Sequence, residues 1–104
     1  MELSIVVPLF NEEESLPELH EWITKVTRQH NISYEIIFVD DGSKDKSWEV
    51  VKQLEAADPN VKGIKFRRNY GKSAALNEGF AHTSGDIVIT MDADLQDSPD
   101  EIPG

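Results

Sequence analysis

Apolar residues gather in four short runs, and between the runs they recur at helical spacing. The first run, residues 3–9, is rich in Ile and Val and gives way after Pro8 and Leu9 to a polar cluster, which predicts a buried strand. A helix is predicted next. Leu16, Leu19, Ile23 and Val26 share one face, Pro17 suits the first turn, and Ser15 with Glu18 reads as a capping box. Residues 35–39 form the second run; Trp48, Val51 and Leu54 then mark a helix that Asp45 or Ser43 caps and Pro59-Asn60 ends. A more polar strand over 61–66, a helix over 73–82 with Leu76, Gly79 and Phe80 on one side, and a strand over 87–91 complete the series. Trp22, Trp48, Leu76 and Phe80 are all assigned to helical core faces.

Strands that alternate with helices require crossover connections, so the expected fold is α/β: a three-layer, Rossmann-like half with a mostly parallel four-stranded sheet. Ligands of such sheets bind beyond the carboxyl ends of the strands. That edge receives residues 11–14, Asp40-Asp41-Gly42-Ser43, residues 67–72 and residues 92–96. All the chemically loaded clusters fall there.

Composition narrows the partners. A length of 104 residues suits one domain, here 1–104, and the 38% hydrophobic content is that of a folded protein. With no cysteine, disulfides and thiolate metal sites are excluded, and a reducing, cytoplasmic setting is expected. Twenty acidic residues against ten basic ones give a formal net charge of -10, which argues against nucleic acid as a partner. No apolar stretch approaches the roughly 20 residues of a membrane span. The charge is uneven: Lys62, Lys65, Arg67, Arg68 and Lys72 hold half the cations, whereas residues 92–104 carry five carboxylates and no Lys or Arg. A divalent cation would reconcile that acidic end with an anionic ligand.

Asp92-Ala93-Asp94-Leu95-Gln96 follows an apolar strand, and Asp92, Asp94 and Gln96 offer hard oxygen donors of the kind Mg2+ or Mn2+ prefers. The same residues also read as a solvated acidic turn or a helix cap. In Asp40-Asp41-Gly42-Ser43 a carboxylate can accept from a ribose hydroxyl or a base N–H, Asp41 being the stronger candidate, while a tight turn satisfying its own backbone is the plainer reading. After Pro8, Phe10 could flank a base and Glu12 could take a hydroxyl, or both could serve helix entry and packing. Arg67, Arg68, Asn69 and Lys72 precede a helix opened by Gly71, where cations and backbone N–H groups could face a phosphate or simply balance carboxylates. His20, His30 and His82 have no metal spacing, and the glycine signatures of dinucleotide and P-loop sites are absent.

Taken together, residues 7–13, Val39-Asp40-Asp41-Gly42-Ser43, Asn69-Tyr70-Gly71-Lys72 and residues 92–97 resemble family 2 glycosyltransferases of the GT-A fold, along nearly the whole chain. The Asp-Ala-Asp-Leu-Gln run with Ser98-Pro99 looks most like the branch acting on dolichyl or undecaprenyl phosphate. The resemblance implies that Pro8, Phe10, Glu12, Val39 and Asp41 line a nucleoside pocket, with Phe10 standing where the family often has Tyr. It implies that Asp92 and Ala93 meet the nucleotide sugar and that Asp94 and Gln96 hold the metal.

The expected activity is inverting transfer from a UDP- or GDP-linked sugar to a polyprenyl phosphate, in a parent protein attached to the cytoplasmic face of a membrane. Because a further helix is only beginning at Ser98-Pro99-Asp100-Glu101, the chain is expected to be an amino-terminal portion with little turnover that self-associates through its unfinished sheet or core. Two other enzyme and signalling classes share paired aspartates. A phospho-accepting receiver domain would carry its acidic pair after the first strand, and an Asp-x-Asp phosphohydrolase would carry that motif there too; here the groups follow the second and fourth.

Overall fold

The computed structural model describes residues 2–91 of the chain. Strands and helices alternate as β1 (Leu3–Leu9), α1 (Leu16–Gln29), β2 (Tyr34–Asp40), α2 (Ser47–Ala57), β3 (Val61–Lys65), α3 (Lys72–Ala81) and β4 (Ile87–Thr90). The four strands pair in the order β3-β2-β1-β4, and every pairing is parallel. From β1 the chain steps outward to β2 and β3, then returns to lay β4 on the other side of β1. Winding therefore reverses between β1 and β4, the place where doubly wound folds open a ligand crevice. A receiver domain would instead have its third strand beside the first. The predicted segment beginning at Ser98 lies outside the described residues.

Successive side chains of a strand face opposite ways, so the apolar runs feed two cores. Ile5, Val7, Ile36 and Phe38 pack with Leu16, Leu19, Ile23 and Val51 beneath α1 and α2. On the other face Ile37 and Val39 meet Ala75 of α3, with Ile64 and Phe66 against them. Helix α3 comes close because Gly79 has no side chain; a Cβ there would collide with Val6 Cγ1. Phe80, the next residue, is rotated about 100° from that contact by helical geometry and is exposed. Trp22 is likewise exposed, beside a stripe that Leu19, Ile23 and Val26 already fill. Both aromatics thus depart from the core assignment. Leu76 and Trp48 are half-buried. The capping box also fails to form: Ser15 is the N-cap of α1 without a side-chain cap, and its hydroxyl donates backward to Glu12 Oε2 at 3.3 Å.

Two carboxylates, Asp58 half-buried and Glu35 buried, brace the amino edge of the sheet. Asp58 accepts from Tyr34 Oη at 2.7 Å and meets His20 Nε2 at 2.9 Å, tying α1 to β2. Burial and the neighbouring Asp58 push the Tyr34 hydroxyl up to about 12. Glu35, 1% exposed, accepts from Ser4, Ser84 and Lys62. Burial alone would raise its pKa, but these hydrogen bonds outweigh that and bring it from 4.5 down to about 2. A depressed carboxyl stabilises the fold fully above its unfolded value and loses that contribution as pH falls toward the folded one. Glu35 should therefore contribute on the order of 3 kcal/mol at neutral pH. Acid unfolding monitored between pH 4.5 and about 2 should show this loss, and Glu35→Gln should flatten stability across the same window. An unchanged acid profile in that variant would refute the assignment.

Candidate functional site

Three loops at the carboxyl edge are laced together by hydrogen bonds. The loop after β1 begins with Asn11, whose φ of 54° turns the chain sharply. Its N–H donates to Ser43 Oγ at 2.8 Å, and its own side-chain oxygen accepts from Lys44 N–H at 2.8 Å. Glu12 N–H donates to Ser47 Oγ at 2.8 Å, and Glu13 N–H to Asp45 Oδ2 at 3.3 Å. Asp45 also takes the N–H and hydroxyl of Ser47 on Oδ1, at 2.9 and 2.6 Å, supplying an acceptor for the start of α2. Its burial would raise its pKa, yet these bonds hold it below the ordinary carboxylate range.

Asp40 and Asp41 close β2 and differ in their partners. Asp40 is fully buried; Oδ1 accepts from Ser43 N–H at 2.8 Å, while Oδ2 has no hydrogen-bond partner among the described residues. Asp41 is 5% exposed, and its two oxygens accept from the backbone N–H groups of Tyr70 at 2.7 Å and Gly71 at 3.1 Å. One carboxylate thus pins the loop that leads into α3. Gly42 allows this approach: it sits at φ +79°, and a Cβ there would lie 2.5 Å from Asn69 N and against the Arg68 carbonyl carbon. Gly71, at φ 101°, is the N-cap of α3.

The structure therefore brings Glu12, Asp40, Asp41 and the start of α3 at Lys72 to one edge. Pro8 and Val39 are register partners just below it. Pro8 is half-buried, whereas Val39 is fully buried in the core under α3 and shapes the floor by packing. Phe10 is 40% exposed at the rim. Arg67 and Arg68 are exposed, and the Arg68 guanidinium lies 5.2 Å from the centre of the Tyr70 ring, which in turn meets Phe66 edge to face. Asp92, Ala93, Asp94 and Gln96 lie outside the described residues. No group of three or more potential metal ligands gathers among the described ones. The lacing by Asn11, Ser43, Asp45 and Ser47 was not assigned from sequence; the density of Ser and Asp over residues 40–47 is its signal.

Removing the pin should free the loop. In Asp41→Ala the Tyr70 and Gly71 amides lose their acceptor, and their hydrogen exchange should accelerate more than that of amides in β2. Gly42→Ala should cost about 1–3 kcal/mol in chemical denaturation through overpacking at a positive φ. A neutral Gly42→Ala would mean the loop does not approach as described.

A model of the family described as glycosyl transferase family 2 matches residues 4–104. Over 102 residues the chain is 48% identical to an undecaprenyl-phosphate 4-deoxy-4-formamido-L-arabinose transferase of Salmonella choleraesuis (strain SC-B67), covering 97% of this chain and 31% of that protein. The chain thus spans about a third of the length of such relatives. A mannosyltransferase of Pyrobaculum calidifontis, solved with GDP-Man and Mn2+, superposes with a TM-score of 0.79 at 26% identity over 89% of this chain and 27% of its own. Glucosyl-3-phosphoglycerate synthase from Mycobacterium tuberculosis, solved with UDP, gives 0.75 at 25% identity over 98% and 37%.

Proposed function

Since the chain belongs to glycosyl transferase family 2, we propose that it forms the donor-binding part of a metal-dependent enzyme that transfers a sugar, with inversion, from a nucleoside diphosphate sugar to a polyprenyl phosphate. The observation that carries this reading is the lacing of the loops after β1 and β2, and of the loop before α3, into one rim at the carboxyl edge. The similar transferase of Salmonella is named for undecaprenyl phosphate, which supports the acceptor class. The neighbour solved with GDP-Man and Mn2+ supports the donor class and the metal.

In this reading Phe10 flanks the base, and Glu12, Asp40 and Asp41 present acceptors to the nucleoside. Asp40 Oδ2 is a buried acceptor with capacity left over. Lys72, at the first turn of α3, faces the diphosphate with the dipole of that helix behind it. Asp92, Asp94 and Gln96 would hold Mg2+ or Mn2+; their hard oxygens fit either ion and leave positions for diphosphate oxygens. When bound, the ion offsets the negative charge that builds on the leaving diphosphate. An acceptor phosphate is already anionic, so no residue of this chain is assigned as a general base.

The parent protein would work at the cytoplasmic face of a membrane, where its lipid acceptor resides; no helix among the described residues is long and apolar enough to cross one. By itself the chain would bind donor with little turnover. Exposed Ile87 and Val88 on β4 support self-association.

Calorimetry with UDP and GDP, each with and without Mn2+, tests the assignment. One nucleotide should bind in a metal-dependent manner, and Asp94→Asn should abolish the metal increment while circular dichroism stays unchanged. Silence from both nucleotides in folded protein would overturn it.

A further inference from the structure

Glu35 is a buried carboxylate to which the donor site assigns no task. It precedes the wholly apolar residues 36–39 of β2 and is 1% exposed. Oε2 accepts from Ser4 Oγ at 2.5 Å, Ser84 N–H at 2.6 Å and Ser84 Oγ at 2.9 Å; Oε1 accepts from Lys62 Nζ at 3.1 Å. Ser4 Oγ in turn accepts from Gly85 N–H at 2.7 Å. One side chain on β2 therefore holds β1, β3 and the turn that starts β4. A charge buried there is costly unless every such partner is in place, so its geometry is closely specified.

Strand β4 is otherwise held by its ladder to β1 and by Ile89 and Met91, which pack on the core. Among the described residues it pairs with β1 alone, from Leu3↔Ile87 to Val6↔Thr90, and Ile87, Val88 and Thr90 are exposed. Sliding β4 by one residue would move its end by about 3.3 Å and turn every side chain to the other face. Met91, whose N–H donates to Val6 O at 3.1 Å, is followed directly in the chain by Asp92-Ala93-Asp94. The register of β4 is thus the register of that motif's entry.

We infer that Glu35 is a positioning residue: by gripping the α3–β4 turn at the amino edge, it helps set the register of β4, the strand that leads in the chain directly into Asp92 and Asp94. The inference rests on the donor-site reading.

Two measurements on the same proteins test it. Mn2+ affinity in the presence of the bound nucleotide is read by electron paramagnetic resonance of free Mn2+, and amide hydrogen exchange is compared between β4 and the β2–β3 ladder. The variants are Glu35→Gln, the milder Ser4→Ala in case the first does not fold, and Val51→Ala as a control that weakens packing on β2 and β3. Glu35→Gln and Ser4→Ala should weaken Mn2+ binding about tenfold or more, the scale of loss when a group that orients metal ligands is removed, and should speed exchange selectively in β4. Val51→Ala should lose stability with Mn2+ affinity unchanged. Wild-type affinity and β4 protection in both clamp variants, or losses no greater than in Val51→Ala, would overturn the inference alone. Absence of wild-type Mn2+ binding would overturn the donor-site reading and the metal link with it, leaving the exchange comparison to decide whether Glu35 holds β4.

Discussion

All the pairings of the described sheet are parallel, and β1 stands between two partners. From that constraint most of the molecule follows. Parallel neighbours cannot be joined by tight hairpins, so each strand must be followed by a helix that crosses back over the sheet. The helices cover both faces, which is why β1 and β2 are apolar at nearly every position rather than at alternate ones. Every strand then ends at the same edge, and the loops that follow β1 and β2 are brought within hydrogen-bonding distance by strand pairing alone.

A carboxylate near the start of strand β2 and another just after its end both act on the segments flanking α3. Asp41 holds the backbone of Tyr70 and Gly71 before the helix; Glu35 holds Ser84 after it. Between them Gly79 lets α3 lie directly on Val6 and Val39. The helix is therefore fixed at its entry, middle and exit by one strand and its neighbour. Glycine at position 42 serves the same end, because any side chain would keep the Arg68–Asn69 backbone away from β2.

For the proposed nucleotide-binding edge this arrangement has a physical advantage. Phe10 and Glu12 stand on or beside a loop whose backbone donors, at Asn11, Glu12 and Glu13, are already engaged by Ser43, Ser47 and Asp45. Such loops lose less conformational freedom when a ligand arrives. In the proposed reaction a diphosphate would depend on cations here: Lys72 and the exposed Arg67 and Arg68 from the protein, together with a divalent ion.

Much of this was legible along the chain. Runs of Ile and Val with helical stripes between them located all seven elements, the four strands and α3 to within a residue at each end, because burial on a strand or helix imposes a period that survives without knowledge of the partner. The position of each polar cluster after its strand likewise implied a shared edge. Local signals were less dependable. Ser15 and Glu18 have the spacing of a capping box, yet the Ser15 hydroxyl turns to Glu12; Phe80 and Trp22 are large and apolar, yet stand exposed. Sequence by itself determined the class of fold, the order of its elements and the family, since these follow from periodicity and motif. Tertiary structure decided which acceptor each donor finds: Asp41 with Tyr70 and Gly71, Glu35 with Ser84, Asn11 with Ser43. Those partners lie 29 to 49 residues apart, and a hydrogen bond is set by distances of about 3 Å that no local pattern encodes.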